Sequence, residues 1–429
     1  MMKQYDSYKD SGIEWIGKIP SHWEVSRFKD FASLRTDASD DDNKIGLENI
    51  EGKTGRFIET STEFEGNGTA FQEGDIVYGK LRPYLQKVWL ATFDGNAVGD
   101  FFVFRAKENC RNKLLFYIMI SDGFTCMCNG ATFGAKMPRV SSDFIRGMHL
   151  YLPPMVEQDA MISYLDKKCE EIDNFIATQE KRVELLKELR QNIITHAVTR
   201  GINPDAPFKD SGVEWIGAIS AHWDMMKMSI VCKVITDYVA SGSFADLRNN
   251  VEYLDSPDYA MLVRTADLSN KNKDIPRVYV SKSSYKFLSN SNLFGGEIIL
   301  PNIGASIGDV YMVPDDLYDK MTLAPNSIMV KTNYNDLYYY YYFSSLCGRK
   351  SLELIGQAAA QGKFNKTELR QMRVPVPPLS EQQEIVSYIE SQTARLDKSI
   401  EKANHQIELL QELKQSIITE VVTGKRKVV

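Results

Sequence analysis

The chain has 429 residues, of which 43% are hydrophobic and 25% are charged, and its formal net charge is −6. This is the composition of an ordinary globular protein that is long enough for two or more domains. No run of about 18 apolar residues occurs, so we expect no membrane span. Six cysteines lie without zinc or disulfide spacing and the N-terminus lacks a signal-peptide core, which favours a cytoplasmic protein without a structural metal.

The acidic charge lies mostly outside two long central blocks. Residues 26–152 hold 16 Lys and Arg against 17 Asp and Glu, and residues 226–376 hold 17 against 15. Both blocks are therefore close to neutral. Because net charge is an average over a surface, it does not exclude a basic face on either block.

The first segment in chain order, residues 1–25, has a copy at residues 202–225. DSGIEWIGKIPSHWEV at 10–25 and DSGVEWIGAISAHWDM at 210–225 are identical at ten of sixteen positions. The segment can be an exposed interaction surface or a clasp that pins each following block to a helix, and we favour the clasp. The repeated histidines lack a Ser or Cys partner signal and are expected to be structural. The residues concerned are Trp15, His22, Trp23, Trp215, His222 and Trp223.

The two blocks resemble each other only in outline. Each contains a glycine-bounded apolar strand (74–90 and 296–313), and an aromatic, helical stretch follows it. A Gly-rich loop then leads into Pro-Pro. This pattern predicts two mixed α/β domains with variable loops on a common scaffold, which suits recognition of different targets. The tyrosine run at 338–342 could stack on nucleic-acid bases, but its helical context favours a packed helix.

A second repeat follows each block at an offset of 224. Residues 153–199 begin PPMVEQDAMISYLDKK, and residues 377–423 begin PPLSEQQEIVSYIESQ. Acidic first-turn residues and the absence of Gly and Pro up to Gly201 and Gly424 predict two helices of about 45 residues each. A strict 3-4 spacing selects eleven positions in each helix, of which nine are apolar. They are Ile162, Leu165, Cys169, Ile172, Ile176, Gln179, Val183, Leu186, Arg190, Ile193 and Ala197, and Val386, Ile389, Thr393, Leu396, Ile400, Ala403, Ile407, Leu410, Lys414, Ile417 and Val421.

These positions form a heptad seam, which predicts a coiled coil, and we expect the two helices to pack antiparallel. Two separate amphipathic helices, each packed on its own core, are the alternative. The chain is thus expected to be an α+β protein in which two α/β domains are joined by two long helices, with pseudo-two-fold symmetry. The predicted segments are a Trp-rich segment (1–25), a domain (26–152), a long helix (153–201), a second Trp-rich segment (202–225), a second domain (226–376) and a second long helix (377–429).

Catalytic and cofactor motifs are missing. The sequence nearest to a phosphate-binding loop, from Gly356 to Lys363, has the wrong spacing and continues with Phe364 where magnesium needs a hydroxyl. The two Pro-Pro pairs lack the polar and aromatic neighbours of an amino-methyltransferase loop. We therefore expect no catalytic, cofactor-binding or metal-binding residues on this chain.

This order of segments resembles the DNA-specificity (S) subunit of type I restriction-modification enzymes over essentially the whole chain. The two repeats carry most of the resemblance, and GKLRPYLQKV at 79–88 and DYVASGSFADLRNN at 237–250 add to it. It implies that each block is a target recognition domain for one half of a split, asymmetric site in double-stranded DNA, and that the paired helices set the unread spacer. It also implies two modification subunits that methylate adenine with S-adenosylmethionine, and restriction (motor-nuclease) subunits where they are present. S-adenosylmethionine, ATP and Mg would belong to those partners.

Candidate DNA contacts are basic, polar or aromatic residues in the loops of the blocks, since such side chains bind base edges and phosphates. In the first block they are Lys80, Arg82, Tyr84, Lys136 and Arg139. In the second they are Ser243, Arg248, Arg264, Asn302, Gln361, Lys363 and Lys366. The first three belong to a family-like segment, so we expect them to position the DNA backbone; a solvated surface role is the alternative for every candidate.

Two other functions remain open. The acidic net charge favours a coiled-coil adaptor that presents two ligand-binding domains without DNA recognition. A self-sufficient methyltransferase would need the cofactor motifs that the sequence lacks.

Overall fold

The computed structural model describes residues 4–13, 16–39, 42–134, 136–269, 275–357 and 362–428. Trp15 and the candidate Gln361 lie outside the described residues. The chain divides into two compact units, one of Met1–Lys181 with Asn404–Val429 and one of Arg182–Ala403. Each unit contains one Trp-rich segment, one α/β block and a part of each long helix.

The first unit is built on a four-stranded antiparallel sheet. The apolar strand predicted near residue 76 lies inside this sheet and is buried on both faces. In spatial order its strands are Ala32–Arg35, Phe101–Ala106, Ile76–Gly79 and Val88–Leu90. A second sheet contains Ala38–Ser39, Gly68–Phe71, Gly95–Ala97 and Lys44–Ile45, and two antiparallel pairs are Tyr8–Asp10 with Lys18–Pro20 and Glu24–Arg27 with His149–Leu152. The helices of the block are Phe28–Phe31, Asn112–Ile120, Asp122–Gly130 and Ser142–Gly147, with 3-10 turns at Leu47–Asn49 and Pro83–Leu85.

The second unit repeats this plan. Its four-stranded antiparallel sheet is ordered Cys232–Asp237, Ser327–Thr332, Ile298–Pro301 and Tyr311–Met312. A five-stranded sheet contains Tyr253–Leu254, Tyr279–Val280, Ala260–Val263, Met321–Leu323 and Asn292–Leu293, and the pairs are Phe208–Asp210 with Ala218–Ser220 and Asp224–Lys227 with Arg373–Val376. The helices are Met228–Val231, Phe244–Asn250, Thr265–Leu268, Lys282–Phe287, Asp336–Ser344, Leu346–Gln357 and Lys366–Gln371, with 3-10 turns at Tyr238–Ser241, Ser289–Ser291 and Gly304–Ser306.

The two long helices are Met155–Arg200 and Leu379–Val422, as the repeats predict. Every predicted seam position is buried or half-buried. In the first unit Tyr164 contacts Arg426 and Asp173 contacts Lys414. Residue numbers therefore rise along the first helix while those of the residues it contacts fall. In the second unit Arg190 pairs with Asp397, and residues 193 and 196 share a cleft with Tyr388. The helices are therefore antiparallel within each unit, and their apolar residues join the core of the block beside them.

The basic residue that interrupts each apolar seam is neutralised by an aspartate of the opposing helix. Lys414 Nζ lies 2.9 Å from both carboxylate oxygens of Asp173, and Arg190 Nε lies 3.0 Å from Asp397 Oδ1. The two aspartates are 224 residues apart, as are the two basic residues. One duplicated ion pair therefore satisfies the break in both copies of the seam.

The Trp-rich segment acts as a clasp on the start of each long helix. Trp23 and Trp223 are fully buried, and each indole Nε1 donates a 2.9 Å hydrogen bond to a first-turn carboxylate, Glu157 or Glu381. The same carboxylates contact His22 and His222, in line with their predicted structural role. The prediction of a core position is wrong for Trp215, which is 41% exposed, although its Nε1 donates to the buried Ser351 of the Leu346–Gln357 helix at 2.7 Å.

The next residue of the repeat, a fully buried glutamine, connects the same helix to the block. Gln158 Oε1 accepts from the backbone N–H of Arg111 at 2.9 Å, and Gln382 Oε1 accepts from that of Asn335 at 3.1 Å. Arg111 and Asn335 are the N-cap residues of the aromatic helices. The repeated Glu-Gln pair thus fixes both the Trp-rich segment and the block to one helix start.

The tyrosine run forms the predicted packed helix, Asp336–Ser344. Tyr338, Tyr339 and Tyr342 are fully buried, and the Tyr338 hydroxyl donates to the carbonyl of Val198 at 2.9 Å. These three rings are therefore core residues and not a base-stacking surface. No helix in the described part of the chain is both long and apolar enough to cross a membrane.

Candidate nucleic-acid interface

In the first unit, the chain leaves its buried sheet at Lys80 and pairs with the end of the Gly-rich loop. The backbone N–H of Val140 donates to the Lys80 carbonyl at 3.1 Å, and that of Arg82 donates to the Pro138 carbonyl at 2.7 Å. Leu81 and Arg139 form the bridge between them. We call residues 80–82 and 138–140 the first strand-end site.

The second unit forms the same backbone arrangement from a different sequence. Phe364 N–H donates to the Asn302 carbonyl at 3.1 Å, Gly304 N–H donates to the Gly362 carbonyl at 3.0 Å, and Ile303 bridges to Lys363. We call residues 302–304 and 362–364 the second strand-end site. It follows that Lys80 corresponds to Asn302, and Arg139 to Lys363.

The equivalence extends to the backbone conformation. Arg82 and Gly304 both have a left-handed φ, +51° and +73°; a 3-10 turn follows Arg82, and another begins at Gly304. Left-handed φ is disfavoured for a residue with a Cβ, and such outliers cluster at functional positions. The exposed Tyr84 lies in the 3-10 turn that follows Arg82.

Asp100 organises the cations of the first strand-end site. Its carboxylate accepts two hydrogen bonds of 2.9 Å from Arg139, and Lys80 Nζ lies 3.8 Å away. The hydrogen bonds from Arg139 hold the pKa of Asp100 below its ordinary value, so the carboxylate stays ionised at neutral pH. Two of the five candidates are therefore held in place by one acid, while Arg82, Tyr84 and Lys136 are exposed around them.

In the second unit, four candidates line one open groove of about 680 Å³: Arg248, Asn302, Lys363 and Lys366. Asn302 is only 6% exposed, and its Nδ2 donates to the Phe364 carbonyl at 2.8 Å. Its Oδ1 has no hydrogen-bond partner among the described residues. Lys366 Nζ lies 2.7 Å from Asp237. The groove therefore combines cations with amide groups, the side chains that bind phosphates and base edges.

Two candidates of the second block have local structural partners. Ser243 caps the helix Phe244–Asn250, since its Oγ accepts from the backbone N–H of Asp246 at 3.3 Å. The Arg264 guanidinium binds both oxygens of Asp267, at 2.9 and 2.8 Å, and a backbone carbonyl. Neither residue lies in the lining of the groove.

The groove also has an aromatic and apolar wall that we did not predict. Tyr238, Tyr253 and Phe244 line it, and the Tyr253 hydroxyl lies 3.0 Å from that of Tyr238. The sequence could have indicated this wall, because residues 244, 247, 248 and 251 have the spacing of one helix face and three of them are apolar. Within the described ranges, no group of three or more His, Cys, Asp or Glu side chains could hold a metal ion.

Comparisons with known proteins find similarity to one group of proteins, the specificity subunits of type I restriction enzymes. Residues 222–409 match the model of the Type I restriction modification DNA specificity domain. The type I restriction enzyme EcoDI specificity subunit of Escherichia coli is 30% identical over 220 residues, which cover 47% of this chain and 48% of that subunit, about half the length of each. The putative type I restriction enzyme MjaX specificity subunit of Methanocaldococcus jannaschii is 21% identical over 96% of both chains.

A solved structure shows the same fold. It is a chain from work on the complex assembly and conformational transition of the type I R-M system, with a TM-score of 0.68 and 16% identity. The match covers 94% of this chain and 98% of that chain. The chain is therefore similar to type I restriction-modification specificity subunits, by a domain match in its second half and by weaker similarity to relatives over nearly its whole length.

Proposed function

We propose that this chain recognises a bipartite, asymmetric site in double-stranded DNA, one half with each strand-end site and its surrounding groove or loops. The observation that carries the proposal is that one backbone arrangement occurs twice with different side chains. Lys80 and Arg139 present hydrogen-bond donors, whereas Asn302 at the position of Lys80 offers both a donor and an acceptor. Two sites that share a backbone arrangement but carry different hydrogen-bonding side chains suit two half-sites of different sequence.

We further propose that two modification subunits dock on the chain and carry out adenine methylation, while this chain does no chemistry. Support comes from exposed leucines at equivalent positions of the long helices: Leu185 and Leu189 in the second unit, and Leu409 and Leu413 in the first. Each pair has i, i+4 spacing and so forms one apolar strip on its helix. S-adenosylmethionine would bind to the modification subunits, and ATP and Mg to restriction subunits where these are present.

The proposal is tested by methylome sequencing of a host that expresses this chain with its modification subunit. We expect N6-methyladenine within one two-part motif whose halves differ in sequence. Exchanging the second block for that of a relative should change one half of the motif and leave the other unchanged. Purified complex that fails to retain DNA, together with an unmodified genome, would indicate a non-DNA adaptor instead.

One lysine of the Gly-rich loop in each unit, Lys136 in the first and Lys363 in the second, is expected to contribute one phosphate contact. Lys136→Ala and Lys363→Ala should each reduce the slope of log K against log salt by about 0.9. A filter-binding or anisotropy titration over several salt concentrations measures this slope. Lys350→Ala, an exposed lysine outside the groove, is the control. A variant whose slope equals that of the wild-type chain does not contact a phosphate.

The leucine strips are expected to bind one modification subunit each. Replacing Leu185 and Leu189 by serine should remove one of two subunits, because a polar strip loses the free energy of apolar burial. Native mass spectrometry should then show one modification subunit per chain in place of two. The equivalent change at Leu409 and Leu413 should remove the other subunit. Two subunits retained by the variant with all four serines would show that docking uses another surface.

A further inference from the structure

We infer that Phe244 is a wedge that inserts at a base step of the DNA bound by the second unit and unstacks it. The inference rests on the proposed function and adds to it a deformation of the DNA, which would make the flexibility of the contacted step a part of specificity. It starts from the position of one phenylalanine on the rim of the groove.

Phe244 is 81% exposed and lines the groove together with the exposed Val239 and Tyr253. An apolar ring left in water forgoes the free energy that burial would supply, so an exposed apolar cluster of this kind marks a contact surface. The cluster lies on the rim of a groove and not on a flat face, which suits a partner that enters the groove.

The helix that carries Phe244 is capped at its N-terminus and anchored in the core. Ser243 and Asp246 form a reciprocal cap in which the Ser243 N–H donates to the Asp246 carboxylate at 3.0 Å. One turn further, Leu247 is buried beneath the groove and anchors the helix. The backbone that carries Phe244 is therefore ordered before binding, so binding has to order only the side chain, which favours its use as a wedge.

The charges around the ring identify the partner as a polyanion. Arg248 lies four residues after Phe244 on the same helix face, and Lys363 lines the same groove, as does Lys366, which is paired with Asp237. Cations spaced around an apolar side chain can hold the phosphates on both sides of one base step. This combination of phosphate contacts and an inserted apolar side chain is the one that kinks DNA in architectural proteins.

The test uses the complete complex with its modification subunits and duplexes that carry the motif found by methylome sequencing. 2-Aminopurine is placed in turn at each position of the half-site assigned to the second unit. We expect increased fluorescence at one step in addition to the adenine that is methylated. Phe244→Ala should abolish the first signal, preserve the second, and weaken binding about tenfold, since stacking of an aromatic side chain on a base contributes roughly 1–3 kcal/mol. Phe244→Leu, still an apolar wedge, should keep most of the signal.

Phe294→Ala is the matched control, since Phe294 is 75% exposed in the same unit but does not line the groove. It should leave both the fluorescence and the affinity unchanged. Site-specific binding without any fluorescence change beyond the methylated adenine would overturn the wedge while the proposed function stands. The same conclusion follows if Phe244→Ala weakens binding but keeps the signal. A wild-type complex that binds no DNA would overturn both.

Discussion

Replacing Gln382 by alanine is expected to lower the free energy of unfolding of the second unit by about 3 kcal/mol, because a buried amide that loses its partner costs about 1–3 kcal/mol per group. The side chain is fully buried, accepts from Asn335 N–H at 3.1 Å and donates to the Pro377 carbonyl at 2.9 Å. Alanine leaves both backbone groups without this partner, the Pro377 carbonyl in a buried site and the Asn335 N–H in a half-buried one. Urea denaturation followed by tryptophan fluorescence measures the loss.

The duplicated sequence provides both a second test and a control. Gln158→Ala should destabilise the first unit by a similar amount, since Gln158 donates to the carbonyls of Pro153 and Asn109 in addition to accepting from Arg111. Gln383→Ala changes the exposed neighbour of Gln382 and should have little effect. Equal stability of the Gln382 and Gln383 variants would show that the buried amide does not hold the helix start.

The long helices and their clasp could be predicted because the residues that must be buried in them occur twice in the sequence at the same spacing. A seam that must stay buried over many turns leaves an apolar period, and its one charged interruption recurs at Arg190 and Lys414. The partners of those charges, Asp397 and Asp173, could not be predicted. They lie off the seam pattern, and the pairing depends on the axial offset of the two helices.

The strand-end sites could not be predicted, because their equivalence is carried by backbone hydrogen bonds. Such bonds place no demand on side-chain type, so Lys80 can correspond to Asn302 without any sequence similarity. Residues chosen by side-chain chemistry alone are therefore found in different environments in the structure. Lys363 and Arg248 converge on one groove, whereas Arg264 is held by an aspartate three residues later along the chain. Whether a loop cation faces a partner or an internal acid depends on tertiary contacts.

Simultaneous replacement of Arg248 and Lys363 by alanine should weaken DNA binding roughly 30-fold at about 0.15 M salt and reduce the salt slope by about 1.8, the effect of two lost phosphate contacts. The two residues approach the groove from different elements, one on the helix Phe244–Asn250 and one in the second strand-end site. Their losses should therefore add, because neither side chain shares a partner with the other. Salt-dependent anisotropy titrations of the complete complex measure both quantities.

The control is the pair Lys233→Ala and Lys350→Ala, two exposed lysines of the same unit outside the groove lining. Both double variants remove two positive charges, so they alter the net charge of the chain equally and differ only in where the charge is lost. Long-range attraction of DNA depends on total charge and is screened beyond about 8 Å at physiological salt, whereas a phosphate contact depends on position. If the two double variants weaken binding equally, the groove does not contact the DNA backbone and the second reading surface must lie elsewhere in the unit.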